Sequence, residues 1–231
     1  MFSFRFLYGF YYGWCEIMQT KLNKYYDVHP TMLSSPYTVH SELFRKYHKR
    51  LTPLGHKIFS EFNFQGKKVL DYGCGSGLVS FGFASDVKSI DGYDNSFGMI
   101  ETYNEKSKSL NLEHISGYLH DINIESIKNN SYDLVVTNMT MHHIKDINNF
   151  VISLKNSLNI DGHLYIADLV KEDGSFHSSG NDGVEHFGFD EDTLYKAFKL
   201  AGLIDIKYEI IQTIQKPNRI YPIFSISGKV S

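Results

Sequence analysis

The sequence has few cysteines, few prolines and little net charge. Of its 231 residues two are cysteine and five are proline, and the formal net charge at pH 7 is −3. Cys15 and Cys74 lie far apart, so they give neither a disulfide framework nor a repeated zinc spacing, and a reducing cytoplasmic setting is expected. Without a basic excess, the chain also lacks the charge pattern typical of a nucleic-acid-binding protein.

Long apolar runs are absent as well. The most apolar stretch, residues 1–14, is rich in aromatic side chains but is interrupted by Arg5, Gly9 and Gly13. A membrane-spanning helix needs about 20 apolar residues, and a secretory signal needs a clean apolar core and a small-residue cleavage site. Neither pattern is present, so we expect no membrane segment. Residues 1–23 are interpreted as an aromatic tail, which packs on itself, covers a site, contacts a second copy, or precedes a translation start at Met18.

Short β-branched runs alternate with helical patterns along the rest of the chain. Strands are predicted over 68–72, 87–93, 115–119, 132–137, 163–168, 204–211 and 221–227, and helices over 97–110, 147–158 and 191–201. This order predicts an α/β fold: a Rossmann-like, doubly wound, mostly parallel seven-stranded sheet with helices on both faces. Two successive strands at the end predict an antiparallel C-terminal hairpin.

We expect one domain over residues 24–231. Residues 24–64 are predicted to form an N-terminal helical cap, and residues 65–231 the Rossmann-like core. Apolar residues recur at helical spacing over 41–62, but Pro53 interrupts the pattern, which predicts two short helices or one kinked helix.

A glycine-rich turn follows the first predicted strand of the core. It contains Asp71, Gly73, Gly75 and Gly77 at alternate positions, and Leu78 stands where a dinucleotide-binding loop has its third glycine. A carboxylate directly before the loop would repel a pyrophosphate, but it suits a ligand with positive charge, such as an amino group or a sulfonium. Because no Gly-Lys-Ser/Thr follows, a nucleotide-binding P-loop is excluded.

Acidic residues also follow the next two predicted strands. Asp94 comes about 20 residues after the glycines, where an acidic side chain accepts hydrogen bonds from ribose hydroxyls. Asp121 follows the third strand, where its carboxylate either accepts from the exocyclic amine of adenine or caps the next helix. The glycine loop, Asp94 for the ribose and Asp121 for the adenine thus follow successive strands in the order that a doubly wound sheet requires.

At these residues the sequence resembles the class I S-adenosylmethionine-dependent methyltransferases. The matching stretches are 69–77, 94–99, 120–121, 132–135 and 158–167, where His163 replaces a usual glycine. The resemblance covers roughly 24–229 and is nearest to the small-molecule methyltransferases grouped with ubiquinone and menaquinone biosynthesis. Residues 139–144 and 168–177 resemble a bacterial and fungal subgroup. Residues 138–141 lack the two prolines and the aromatic residue of the methyltransferases that act on amino groups of DNA bases.

The resemblance implies S-adenosyl-L-methionine as the cofactor. Asp71 and Gly73 would then face its methionine part and Asp94 its ribose, while Asn138 would lie near the sulfonium. The implied cofactor-binding set is Asp71, Gly73, Cys74, Gly75, Asp94, Asn95, Met99, Asp121, Ile122 and Asn138, with Asp121 and Ile122 beside the adenine. Cys74 is interpreted as a small loop residue rather than a nucleophile.

Histidines supply the candidates for acceptor chemistry. His177 and His186 lie in the glycine- and serine-rich segment 174–188, where an imidazole acts as a general base, holds the loop, or ligates a metal with Asp168. Because they are adjacent, His142 and His143 are expected to point in different directions, so that at most one faces the site. No His-x-x-x-His spacing occurs, and no metal site is assigned. The catalytic candidates are His177, His142 and His143, and the substrate-binding candidates are Tyr26 and His186.

Together these patterns favour a methyltransferase (transferase class EC 2.1.1.-) that acts on an oxygen, nitrogen, sulfur or carbon atom of a small molecule. We expect a monomer or homodimer without a nucleic-acid partner. One alternative is a catalytically silent S-adenosylmethionine-binding module that acts through a partner. A second is an NAD-dependent oxidoreductase, which Leu78 and Asp71 disfavour.

Overall fold

The computed structural model describes residues 52–177, 180–217 and 219–231, and a single seven-stranded sheet forms its centre. The strands are β1 Lys68–Tyr72, β2 Ser89–Asp94, β3 Ile115–Leu119, β4 Tyr132–Asn138, β5 Leu158–Leu169, β6 Ile204–Lys216 and β7 Arg219–Lys229. Their order across the sheet is β3-β2-β1-β4-β5-β7-β6. The predicted fold class is confirmed.

Strand direction follows the predicted pattern. The strands β1 to β5 are paired in parallel, whereas β7 runs antiparallel to both β5 and β6. The chain winds outward from β1 in one direction and from β4 in the other, so the order reverses between these two central strands. In open sheets of this kind, ligands bind beyond the carboxyl ends of the strands at this reversal.

Helices cover the sheet on both sides. They are α1 Pro53–Glu61, α2 Ser80–Phe83, α3 Phe97–Ser109, α4 Ile147–Ser157 and α5 Glu191–Leu200, with a 3₁₀ turn at Met141–His143. Successive residues of β4 alternate between two apolar clusters: Leu134 and Val136 pack with α1 to α3, and Val135 packs with α4 and α5. Within the described ranges, no helix is long and apolar enough to cross a membrane.

The start of α1 explains the proline in the predicted helical cap. Pro53 is the first residue of the helix, and the Thr52 side chain accepts a hydrogen bond from the backbone N–H of Gly55 at 3.0 Å. Proline suits this position because its missing N–H has no partner in the first helical turn. The aromatic tail 1–23, the cap residues 24–51 and Tyr26 lie outside the described residues.

Three strands are considerably longer than predicted. β5 begins at Leu158 and contains a bulge, because Tyr132 pairs with Leu158 whereas Leu134 already pairs with His163. Asp161, with a φ of 62°, lies in this bulge. The hairpin strands β6 and β7 extend to Lys216 and from Arg219. This extension brings the end of the hairpin over the segment that follows β5.

Candidate active site

The glycine loop after β1 has a backbone conformation that requires glycine. Gly73, Gly75 and Gly77 have φ angles of 70°, 51° and 83°, which side-chain-bearing residues adopt only with strain. At Gly73 an added Cβ would also lie 2.1 Å from Oγ1 of Thr140. The loop after β4 therefore packs directly against the loop after β1. Thr140 is a site residue that the sequence patterns did not indicate.

Backbone hydrogen bonds attach the loop to the end of β2. The N–H groups of Gly73 and Cys74 both donate to the carbonyl oxygen of Tyr93, at 2.7 and 3.0 Å. Cys74 itself is buried, and burial raises the pKa of its thiol, so the thiol is protonated at neutral pH. A buried, protonated thiol is a poor nucleophile, which agrees with its interpretation as a small loop residue.

Asp94 joins the loop to the start of α3. Its Oδ2 accepts from the N–H of Gly75 and its Oδ1 from the N–H of Ser96, both at 2.9 Å. Burial raises the pKa of this carboxyl. A carboxylate has about four acceptor positions, so two remain for ligand hydroxyls. Asn95 is exposed beside it and Met99 is half-buried in the first turn of α3, and their cofactor contacts stay predictions.

Asp71 lies beneath the loop. It is 1% exposed, and its Oδ2 accepts from the N–H and hydroxyl of Ser80 at 3.1 and 2.5 Å. Burial, with a smaller contribution from the charge of Asp94, raises the pKa of Asp71 to about 6. The structure therefore gives Asp71 a role in fastening the loop to α2, and its contact with the cofactor stays a prediction.

The end of β3 brings the predicted adenine residues next to β1. The N–H of Ile122 donates to the phenol oxygen of Tyr72 at 3.0 Å, while Asp121 accepts from the backbone and side chain of Asn123 at 2.9 and 2.8 Å. The ring of His120 is buried, and neither of its nitrogens has a hydrogen-bond partner among the described residues. Such unpaired buried nitrogens are rare in native proteins, which makes His120 a candidate ligand contact.

His120 also has a fixed orientation. Its ring stacks on that of Tyr93, with 4.6 Å between the ring centroids. Tyr93 lies on β2, so the stack ties the end of β3 to the same loop that Asp94 supports.

Asn138 is the last residue of β4, and the residues after it leave the sheet at its carboxyl edge. Asn138 is half-buried, and its carbonyl oxygen lies 3.2 Å from the Thr140 hydroxyl. Met139 follows with a φ of 55° and donates its N–H to the carbonyl oxygen of Ala167 on β5 at 2.8 Å. This unusual conformation turns the chain away from the sheet at its carboxyl edge.

Three histidines meet at that edge, and one sequence expectation is corrected here. His142 and His143 do not point apart: their ring centroids are 4.0 Å apart. The expectation applies to neighbouring residues of a strand, whereas these residues lie in a 3₁₀ turn. The ring centroid of His177 lies 5.2 Å from that of His142 and 6.1 Å from that of His143.

A buried carboxylate orients the most buried of the three rings. Asp168, which is 0% exposed, accepts from the backbone N–H of His142 at 3.1 Å, and its other oxygen lies 2.8 Å from Nδ1 of the His142 ring. The sequence patterns offer Asp168 only as a metal partner of His177 or His186 and do not pair it with His142.

The other histidines differ in their surroundings. Nδ1 of His143 lies 2.7 Å from the Gly183 carbonyl oxygen, and Nδ1 of His177 is buried without a hydrogen-bond partner among the described residues. Burial and the neighbouring rings lower the pKa of His143 and lower that of His177 to about 4. Both rings are therefore neutral at pH 7. His186 lies apart from the three, with Nε2 2.9 Å from the carbonyl oxygen of Ile144, and holds the 180–188 segment in place.

These features fit S-adenosylmethionine better than a dinucleotide. Carboxylates at the ends of β1, β2 and β3, from Asp71, Asp94 and Asp121, favour a ligand with positive charge and disfavour a pyrophosphate. The open glycine loop and the unpaired nitrogens of His120 leave room and hydrogen-bonding capacity beside them. The strand order and this site together define a class I S-adenosylmethionine-dependent methyltransferase domain.

Comparison with known proteins identifies the family. A family model described as a methyltransferase domain matches residues 40–208, and the chain belongs to this methyltransferase-domain family. An uncharacterized methyltransferase of Schizosaccharomyces pombe is 32% identical over 152 residues, 60% of this chain and 54% of that protein. The mitochondrial ubiquinone biosynthesis O-methyltransferase of the same yeast is 30% identical over 118 residues, 48% of this chain and 41% of that protein. The chain thus spans about half the length of the curated relatives it matches.

A solved structure supports the fold. The phosphoethanolamine N-methyltransferase 2 of Haemonchus contortus, solved in complex with S-adenosyl-L-methionine, superimposes with a TM-score of 0.64 at 16% identity. The match covers 76% of this chain and 52% of that chain. At this identity the likeness establishes the shared architecture and leaves the acceptor open.

Proposed function

We propose that the protein transfers a methyl group from S-adenosylmethionine to a nucleophilic atom of a small molecule that binds beside His142, His143 and His177. The observation that carries the proposal is the position of these imidazoles. They follow β4 and β5 at the same carboxyl edge of the sheet where the glycine loop and Asp94 follow β1 and β2. When bound, the cofactor supplies a methyl group activated by a positively charged sulfur.

The chain's own residues then have separable roles. Gly73, Gly75 and Asp94 hold the cofactor, and the loop after β4 positions the acceptor. Positioning of two reactants can lower a barrier by several kcal/mol. Because His143 and His177 are neutral at pH 7, their ring nitrogens accept a hydrogen bond from the acceptor and take its proton where methylation requires a loss of one.

A small acceptor agrees with the burial of this region. His142 is 2% exposed and His177 is half-buried, and the segment 180–188 is tied down by the backbone N–H groups of Glu185 and His186, which donate to the His142 carbonyl oxygen. We also propose that the protein is cytoplasmic, as its two cysteines led us to expect.

Calorimetric titration tests cofactor binding. S-adenosylmethionine and S-adenosylhomocysteine should both bind, and NADH should not. Asp94→Ala removes the carboxylate that faces the ribose and that also holds the loop, so the affinity should fall by about 2–3 kcal/mol, roughly 30- to 150-fold. Asp91→Ala on the same strand is the matched control, because the Asp91 carboxylate accepts from the Tyr132 hydroxyl instead of the loop.

Equal affinities in wild type and Asp94→Ala would contradict the assigned site, and binding of NADH alone would contradict the function.

The acceptor side is tested with His177→Ala. Turnover, followed as formation of S-adenosylhomocysteine with a panel of phenols, thiols and amines, should fall about 10²- to 10⁴-fold while cofactor affinity stays unchanged. Normal turnover in this variant would remove His177 from the acceptor site.

A further inference from the structure

The three clustered histidines have the geometry of a metal-binding site. One ring nitrogen each from His142, His143 and His177 lies within 4.8 Å of the other two. Two imidazole nitrogens on one zinc ion lie about 3.4 Å apart, as follows from Zn–N bonds of about 2.0–2.1 Å at a tetrahedral angle. The buried His142 ring is held by Asp168, so small rotations of the half-buried His143 and His177 rings would close the difference.

The hydrogen bonds of the His142 and His143 rings each use one nitrogen and leave the other nitrogen free to ligate a metal. Nδ1 of His143 faces the carbonyl oxygen of Gly183, which can only accept, so this nitrogen carries the proton and Nε2 keeps its lone pair. Nδ1 of His142 faces the Asp168 carboxylate in the same way. A carboxylate or carbonyl that receives the outer N–H of a metal-bound histidine is a common feature of metal sites, since it fixes the tautomer and the ring orientation.

The third ring lacks such a partner. Nδ1 of His177 is buried and has no hydrogen-bond partner in the part of the chain that the structure describes. A buried imidazole nitrogen with no partner is unfavourable, because it has lost its hydrogen bond to water and has gained none in the protein. Ligation of a cation would supply the missing interaction.

The charges around the cluster are compatible with a divalent ion. The three imidazole rings, whose centroids lie 4.0 to 6.1 Å apart, repel one another when protonated, whereas neutral rings at these distances can share one cation. Asp168 behind His142 and Asp94 near His143 contribute negative charge, while Lys216 near His177 opposes a cation. The ammonium of Lys216 is bonded to the carbonyl oxygen of Phe176, which holds it in place.

We propose that His142, His143 and His177 bind one divalent transition-metal ion, zinc by ligand preference, with a fourth position open to the methyl acceptor. Three histidines plus one open position are the arrangement of catalytic zinc sites. The spacing of these three histidines in the sequence does not predict the site, because the ligands combine an adjacent pair after β4 with a residue from the loop after β5.

The acceptor class follows, and this part rests on the proposed function. An acceptor with a hydroxyl or thiol group would ligate the zinc through its oxygen or sulfur, and the metal would lower the pKa of that group, so that its proton would pass to solvent water. With the metal bound, His143 and His177 would act as ligands, and this route would replace proton transfer to their rings. The acceptor then forms its new bond to the methyl carbon as the carbon–sulfur bond of the sulfonium breaks and its electron pair returns to sulfur. No oxidant or reductant is required.

Metal titration of the full chain tests the site without any turnover. Protein stripped of metal with a chelator is titrated with Zn²⁺ in competition with a chromophoric chelator, and with Co²⁺, whose visible absorption is intense in tetrahedral sites. One equivalent should bind, and His143→Ala and His177→Ala should each weaken zinc binding at least about 100-fold. His56→Ala, which removes an exposed histidine on α1, is the matched control and should bind as wild type.

Thermal melting of each variant verifies folding, and a variant that does not melt cooperatively is replaced by His→Asn at the same position. Absence of stoichiometric zinc binding, or equal affinity in wild type and both variants, would overturn the metal site. If S-adenosylmethionine binds but zinc does not, the proposed function stands and this inference fails. If zinc binds through these histidines, addition of phenol or 2-mercaptoethanol to the Co²⁺ protein should shift its spectrum, and an unchanged spectrum would refute the open position.

Discussion

Burial of Asp71 should make the stability of the protein depend on pH in a direction opposite to that of most acidic residues. The side chain is 1% exposed, and burial raises its pKa from 3.8 to about 6. In the unfolded chain an aspartate titrates near 3.9. Between about pH 4 and pH 6 the folded protein therefore binds more protons than the unfolded chain, and the free energy of unfolding falls as pH rises through this window.

The size of this effect follows from the pKa difference. A difference of about 2 units, at 1.36 kcal/mol per unit, gives about 3 kcal/mol lost between pH 4 and pH 7. Asp71→Asn keeps the shape of the side chain and an oxygen that accepts from Ser80, but it cannot ionise. The variant should therefore gain stability relative to wild type as pH rises, by up to about 3 kcal/mol at pH 7.

Urea unfolding of both proteins at half-unit steps from pH 4 to pH 7.5 measures this difference directly. Asp91→Asn is the matched control, because Asp91 lies on the adjacent strand at the register position of Leu70 and is half-buried. Its difference from wild type should not follow the same curve. Parallel stability curves for wild type and Asp71→Asn would refute the account of a buried, proton-binding carboxyl beneath the loop.

Two further substitutions test how the loops are held. In urea unfolding, Gly73→Ala should destabilise the fold by about 2 kcal/mol more than Gly66→Ala. Both glycines have φ near 70°, but only at Gly73 does the added Cβ meet the Thr140 side chain. Equal losses of stability in the two variants would contradict the contact. Tyr72→Phe removes the hydroxyl that accepts from the N–H of Ile122. The variant should lose about 1 kcal/mol of stability and should bind the cofactor more weakly in calorimetry. If stability and cofactor affinity are both unchanged, this hydrogen bond has no role in the predicted adenine site.

The sequence allowed prediction of the sheet and of the glycine turn after β1 because both depend on local signals. The β-branched run at 132–137 and the glycines after Asp71 each predict their own conformation without reference to distant residues. Asp94 was predictable for the same reason, since its distance from the glycines reflects one helix and one strand of ordinary length. The longer hairpin was not predictable, because alternating polar residues in β6 carry a weak strand signal.

The internal partners of these residues were not predictable from the sequence. Asp71 was assigned to the ligand because a carboxylate beside a glycine loop is conspicuous, but its hydrogen bonds to Ser80 depend on how α2 returns over the loop. Thr140 packs against Gly73 because the chain, at Met139 with a φ of 55°, leaves the sheet and meets the loop after β1. A contact of this kind is set by the meeting of two loops, and neither loop alone contains a pattern for it.

The histidine cluster shows why sequence patterns name His142, His143 and His177 as separate candidates but do not predict that they lie together. A search for metal ligands at regular spacing assumes that the ligands lie on a helix or a hairpin. His142 and His143 lie instead in a 3₁₀ turn. Asp168 on β5 accepts from the backbone N–H of His142 and also contacts its ring. That buried carboxylate turns the ring of His142 toward the position of His177. The same strand thus orients one histidine and leads directly into the loop that carries another, so the cluster exists only once β4 and β5 are paired.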